Sequence, residues 1–265
     1  MKTDFYDKLI EEKGFSNLVE EIRRKSLASY PRKKFWTVNN IVYRNGIYRV
    51  DLLKDFLDNG DAKTQDEWAE YSRKEKQKNG FYVGDFPLYH SLFSSIHKIK
   101  DDAKKEEVRV FLERKFREKW LTTLTRIKYS SFGEIDEIVH NYNMSEEYSF
   151  FDYFLGQSGL IKNLENRINF MVLLGTNDLQ EINSIYKWIT GRDTHLFRKD
   201  SMKTLNKKIS KKIPSHLNYN ERVTRIGFYS GLANLDFDGG KFGKNPALGI
   251  RAIPTTTVPV LYSYS

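Results

Sequence analysis

Residues able to hold a metal, attack a carbonyl or cradle a phosphate are sparse in this chain, and their spacing decides what they can do. Five histidines, His90, His97, His140, His195 and His216, are spread along it, and none stands in H-E-x-x-H. His90 and His97 share a helix face at i, i+7, where two turns separate them by roughly 10 Å, too far for one ion without further ligands. Asp236-Phe237-Asp238-Gly239-Gly240 begins like a calcium loop, but Ala247 stands at the twelfth position, where a bidentate acid belongs. Asp236 to Pro246 therefore reads as a glycine-rich turn joining two strands, with Asp236, Asp238 and Lys241 as candidate ligand contacts at a strand end. Gly156-Gln157-Ser158-Gly159 is one residue short of the G-x-S-x-G nucleophile elbow. Of the phosphate-cradling glycine motifs, neither G-x-G-x-x-G after a strand nor G-x-x-x-x-G-K-[ST] occurs. Zero cysteine removes disulfides, thiol nucleophiles and thiolate metal sites together. One nuclease-like order does occur, Asp85 followed by Asp102-Ala103-Lys104, in which two acids would hold Mg²⁺ and the lysine would steady the attacking water. That second element belongs on a strand, whereas Asp102 falls at an expected helix start, where aspartate serves as a cap.

Charge carries a stronger signal than any motif. The chain holds 44 Lys and Arg against 35 Asp and Glu, a formal net charge of +9, and the excess lies in two stretches. Lys98 to Lys128 carries eleven cations against six acids, and Arg192 to Arg225 carries ten against three. Such concentration makes a field that collects an anionic partner. The candidate contacts are Arg109, Arg117, Arg126 and Lys128 in the first stretch, and Lys207, Lys208, Lys211, Lys212, Arg222 and Arg225 in the second. Nucleic acid or another polyanion is the expected partner, met through backbone phosphate because no zinc finger or helix-turn-helix is present to read bases. Aromatic residues beside cations could stack nucleobases: Tyr43, Tyr48 and Arg49; Arg126 and Tyr129; Arg225 and Tyr229. An AT-rich coding sequence, which enriches Lys, Asn, Ile, Tyr and Phe, accounts for the same charge without a partner.

The elements that must position these residues follow from pattern. Helix is expected over the first thirty residues, broken near Gly14 and ended by Pro31. Phe35 to Val38 and Ile41 to Val50 read as a hairpin turning at Asn45-Gly46, because both turn residues must take positive φ. Asp51 to Leu57 looks like a short helix. Thr64 and Glu67 make a capping box opening a helix to about Lys78, and Asp85-Phe86-Pro87 opens another with Leu88, Leu92, Phe93 and Ile96 on one face. A long amphipathic helix is expected from about Ala103 to Leu124. Ile135 to Tyr142 and Tyr148 to Phe154 read as strands, then Leu160 to Leu174 and Leu179 to Ile189 as helices. Strands follow at Thr194 to Arg198, Arg222 to Tyr229, Leu232 to Phe237 and Ala247 to Ile253. Lys203 to Asn220 reads as a loop or weak helix, and residues 254–265 as an extended tail. The expected fold class is α+β: a mainly helical N-terminal half with one β-hairpin (1–128), then an α+β region ending in an antiparallel sheet (129–253).

Hydrophobic residues at 39% support a folded core, and a mean hydropathy of −0.62 with no run of roughly 18 apolar residues excludes a membrane helix. The N-terminus lacks the apolar core of a secretory signal, and with zero cysteine this points to the cytoplasm. Ala247-Leu248-Gly249-Ile250-Arg251-Ala252-Ile253 resembles the closing Gly-Phe-Arg-x-Val strand of C-type-lectin-like domains of the formylglycine-generating type, with Ile250 in place of the aromatic. That resemblance covers under a tenth of the chain and implies a domain that binds protein or carbohydrate. The expectation is therefore a binding or structural protein without catalysis or cofactor, contacting nucleic-acid backbone. A lectin-like ligand-binding domain and a metal-dependent nuclease are the alternatives.

Overall fold

The computed structural model describes residues 34–130, 136–152, 159–164, 169–197 and 219–257. Residues 37–265 form one compact unit, and residues 1–36 another, of which 34–36 are described. The helix expected over the first thirty residues lies outside the described residues.

Alternating apolar and polar residues build a hairpin from β1 (Phe35–Tyr43) and β2 (Gly46–Phe56). Its turn sits at Arg44–Asn45, one residue before the expected position, and Arg44 takes the positive φ of 52°. β2 continues through Asp51 to Phe56, so the short helix expected there is a strand. The cause lies 200 positions away: Arg251 of β10 (Leu248–Thr257) stands opposite Asp51 and donates to its carboxylate at 2.8 and 3.1 Å. Together β1, β2 and β10 make a three-stranded sheet.

Three helices follow. α1 (Gln65–Gln77) is opened by the Thr64–Glu67 capping box. α2 (Phe86–His97) is capped by Asp85, whose Oδ1 accepts from the Leu88 N–H at 2.9 Å, with Pro87 in the first turn. α3 (Asp102–Glu118) is capped by Asp101. It stops at Glu118, before the expected Leu124, because the chain passes into β3 (Leu121–Ser130), where β-branched Thr122, Thr123 and Thr125 suit the pleat.

β3 is an interior strand of a large sheet. It pairs with β4 (Asp136–His140) on one side and β8 (Tyr219–Tyr229) on the other. β5 (Tyr148–Asp152) adds to β4, and β9 (Leu232–Gly240) adds to β8. β7 (Thr194–Phe197) joins β9 in parallel, and the two-residue β6 (Gly159–Leu160) joins β7. The order is β5-β4-β3-β8-β9-β7-β6. Where one helix was expected from Leu160 to Leu174, the described residues hold β6, a 3₁₀ turn (Ile161–Asn163) and the short α4 (Asn169–Leu174). α5 (Leu179–Thr190) then ends on Gly191 in the left-handed region.

The expected fold class is corrected by this topology. The described chain opens on a hairpin, not on helices, and the seven-stranded sheet draws on strands from both halves of the sequence. β10 returns to the N-terminal hairpin, so it does not close the C-terminal sheet. α2, α3 and α5 supply a shared apolar core through Phe93, Phe116, Ile185 and Tyr186, all buried. Among the described residues no helix is long and apolar enough to cross a membrane.

Candidate functional site

The structure divides the basic candidates into two groups and compensates most of them. Arg126 on β3 is 3% exposed; it bonds Gln65 and Asp66 at 2.8 Å, reaches Glu221 at 3.3 Å, and stacks 3.5 Å from the Tyr142 ring centroid. Lys128 pairs with Glu137 at 2.8 Å across the β3–β4 ladder. Arg222 pairs with Asp238 at 2.8 Å, and Lys241 with Glu221 at 3.4 Å. Arg109 on α3 is held by Glu106 and Glu113 of its own helix. Lys207, Lys208, Lys211 and Lys212 lie outside the described residues.

The loop candidates are placed differently from the expected turn. Asp236 and Asp238 lie within β9, and the turn begins only at Lys241. The Asp236 carboxylate, 2% exposed, takes both Nε and Nη2 of Arg225 from the neighbouring strand. The pair Gly239-Gly240 continues the strand because Val223 and Arg225 crowd Gly239, where a Cβ would come within 2.7 Å of both.

Arg117 and Arg225 belong to a second group, at the end of the sheet where β8 turns into β9. Ser230 and Gly231 take positive φ values of 51° and 79°, the two-residue hairpin turn whose twist matches the strands. Trp120, between α3 and β3, packs on Gly227 of β8; a Cβ there would come within 2.7 Å of the indole. The Arg225 guanidinium lies 5.1 Å from the Trp120 ring centroid, and Tyr229 lies 6.4 Å from it at an interplanar angle of 35°. Arg117 reaches across from α3, paired with Glu113 and 4.3 Å above the Phe228 ring. No protein-family model matches the chain, and no curated protein or solved structure matches it.

Two further cations belong to this end. Lys119 immediately precedes Trp120. Arg192 lies between Thr190, whose carbonyl accepts from Arg117 at 3.5 Å, and Asp193, whose carbonyl accepts from the Ala233 N–H at 3.3 Å. Both side chains are exposed, and no acid among the described residues pairs with either. Sequence reasoning paired Arg225 with Tyr229 but missed Trp120, Lys119 and Arg192. The signal was the alternation of Arg225, Gly227 and Tyr229, with the glycine marking the place of a close neighbour.

The nuclease-like acids are not brought together. Asp85 caps the start of α2 and Asp102 begins α3; the 12-residue α2 alone spans roughly 18 Å between them. Lys104 donates to the Thr37 carbonyl at 2.9 Å. Among the described residues no three His, Asp or Glu are placed to hold a metal ion. Asp85 is buried and accepts instead from two phenols, Tyr43 at 2.5 Å and Tyr148 at 3.1 Å. Arg251, on β10, pairs with Asp51.

Proposed function

We propose that the protein binds a polyanion, nucleic-acid backbone being the expected form, through the basic stretch that joins β7 to β8. One observation carries the reading. The described residues hold 28 Lys and Arg against 26 Asp and Glu, and the basic candidates among them are largely cancelled by facing carboxylates. Residues 198–218 hold seven Lys and Arg against one Asp. The excess charge is thus concentrated in a single connection. β7 runs parallel to β9 and β8 antiparallel to it, so Phe197 and Tyr219, the two ends of that connection, point to the same end of the sheet.

Lysine offers a point charge on a flexible stem, which suits phosphate and carries no base information. Each phosphate neutralised on duplex DNA adds roughly 0.9 to the slope of log affinity against log salt. Fluorescence anisotropy of a labelled duplex, titrated with protein at rising salt, tests the reading. Affinity falling steeply and without preference for one sequence supports it. Affinity insensitive to salt, or no binding at the lowest salt, refutes it.

A further inference from the structure

The aromatic surface at the β8–β9 turn asks for more than charge. Arg225, Gly227 and Tyr229 are alternate residues of β8 and share one face of the sheet. Trp120 sits against Gly227 between the other two, so a guanidinium, an indole and a phenol follow one another in a row. Tyr229 is 65% exposed, a large aromatic face held in open solvent by a tight turn. Arg225 and Arg117 are neutralised by Asp236 and Glu113, and among the described residues no acid pairs with Lys119, the exposed residue that precedes Trp120.

An exposed ring face with a cation close in the chain fits a strand whose bases are unstacked. A duplex hides its base faces and presents only phosphate to such a surface, whereas a single strand presents both. We infer that the Trp120–Tyr229 surface is a stacking platform for single-stranded nucleic acid: a base lies on the Tyr229 ring, and a flanking phosphate reaches Lys119, the residue before Trp120. The inference rests on the polyanion reading above and names the form of nucleic acid it takes. Stacking tolerates every base, so the platform adds affinity for single strands without sequence preference.

The test compares three probes on the full chain: labelled oligo(dT), a duplex of equal length, and heparin, which has charge but no bases. Tyr229→Ala should weaken oligo(dT) binding by roughly tenfold, the size of one lost base stack, and leave duplex and heparin affinity unchanged. Tyr229→Phe, which keeps the ring, should retain the oligo(dT) affinity. Because Tyr229 is exposed, thermal unfolding of both variants should match the parent protein, which separates loss of binding from loss of fold. Oligo(dT) affinity unaffected by Tyr229→Ala, or lowered equally with heparin affinity, overturns the platform and leaves the polyanion reading standing. Failure of the parent protein to bind any of the three probes overturns both.

Discussion

The Tyr43 phenol donates to Asp85 Oδ2 at 2.5 Å, joining the last residue of β1 to the residue that caps α2. Tyr148 of β5 donates to the same oxygen, and Asn141 donates to the Tyr43 oxygen at 3.2 Å. One buried carboxylate therefore fastens the hairpin, a helix start and the edge strand of the large sheet. Burial first, and then the Asp85 charge, push both phenols far above the ordinary tyrosine value, so they stay protonated and donate.

Tyr43→Phe keeps the ring and removes that donor. Hydrogen bonds to charged groups contribute about 1.5–3 kcal/mol, and the loss should appear as a lower urea midpoint with an unchanged slope. A midpoint equal to that of the parent would show that the bond is replaced by another donor.

His90 on α2 is stacked on Tyr186 of α5, ring centroids 5.9 Å apart, and neither its two ring nitrogens nor the Tyr186 hydroxyl has a partner. Burial, the dominant cause, lowers its pKa from 6.5 to about 4. The unfolded chain then takes up a proton that the folded one refuses, so the contribution to stability is whole above the unfolded value and is lost as pH falls towards the folded one. The parent protein should lose about 2 kcal/mol from this group between about pH 7 and pH 5. His90→Phe keeps the stack and should flatten that part of the profile. Urea titrations at the two pH values decide it, and equal losses in both proteins would contradict the assignment.

Arg126 and Arg109 were both candidate contacts, and their surroundings predict opposite behaviour. Arg126→Met strips Gln65, Asp66 and Glu221 of their shared partner and should cost about 2–3 kcal/mol, tempered by the exposure of Asp66, while leaving duplex affinity unchanged. Arg109→Ala removes partly exposed pairs within one helix and should stay within about 0.5 kcal/mol. Thermal unfolding and duplex anisotropy on the two variants check both statements; weaker duplex binding by Arg126→Met at intact stability would return that residue to the interface.

Local signals in the sequence located the helix starts. The Thr64 capping box and Asp85-Phe86-Pro87 act within four residues, and both helices begin where those residues dictate. Elements decided by distant partners were misread. Residues 51–57 scan as helix until Arg251 is seen opposite Asp51, and Leu121 to Leu124 continue an apolar helical stripe until β8 is laid beside them. Asp236 and Asp238 invited a turn because two glycines follow, yet Arg225 and Arg222 on the neighbouring strand draw them into β9. Charge composition marked the basic stretches but could not show which acids meet them: Asp66 and Glu221, remote in sequence, take Arg126, while Glu106 and Glu113 of the same helix take Arg109. At the β8–β9 turn, an aromatic near a cation in one strand marked Arg225 and Tyr229 together, whereas Trp120 fell inside the helix expected to run to Leu124 and the surroundings of Lys119 and Arg192 depend on what the fold leaves out of reach.

The central claim is that the charge joining β7 to β8 collects the polyanion. The most direct measurement is the slope of log affinity against log salt for duplex DNA, for the parent chain and for a variant with Lys207, Lys208, Lys211 and Lys212 all changed to Ala. Up to four phosphate contacts are removed, so the slope should become shallower by as much as roughly 3.6, with thermal unfolding unchanged. Parallel lines for the two proteins would contradict the account and place the contacts elsewhere.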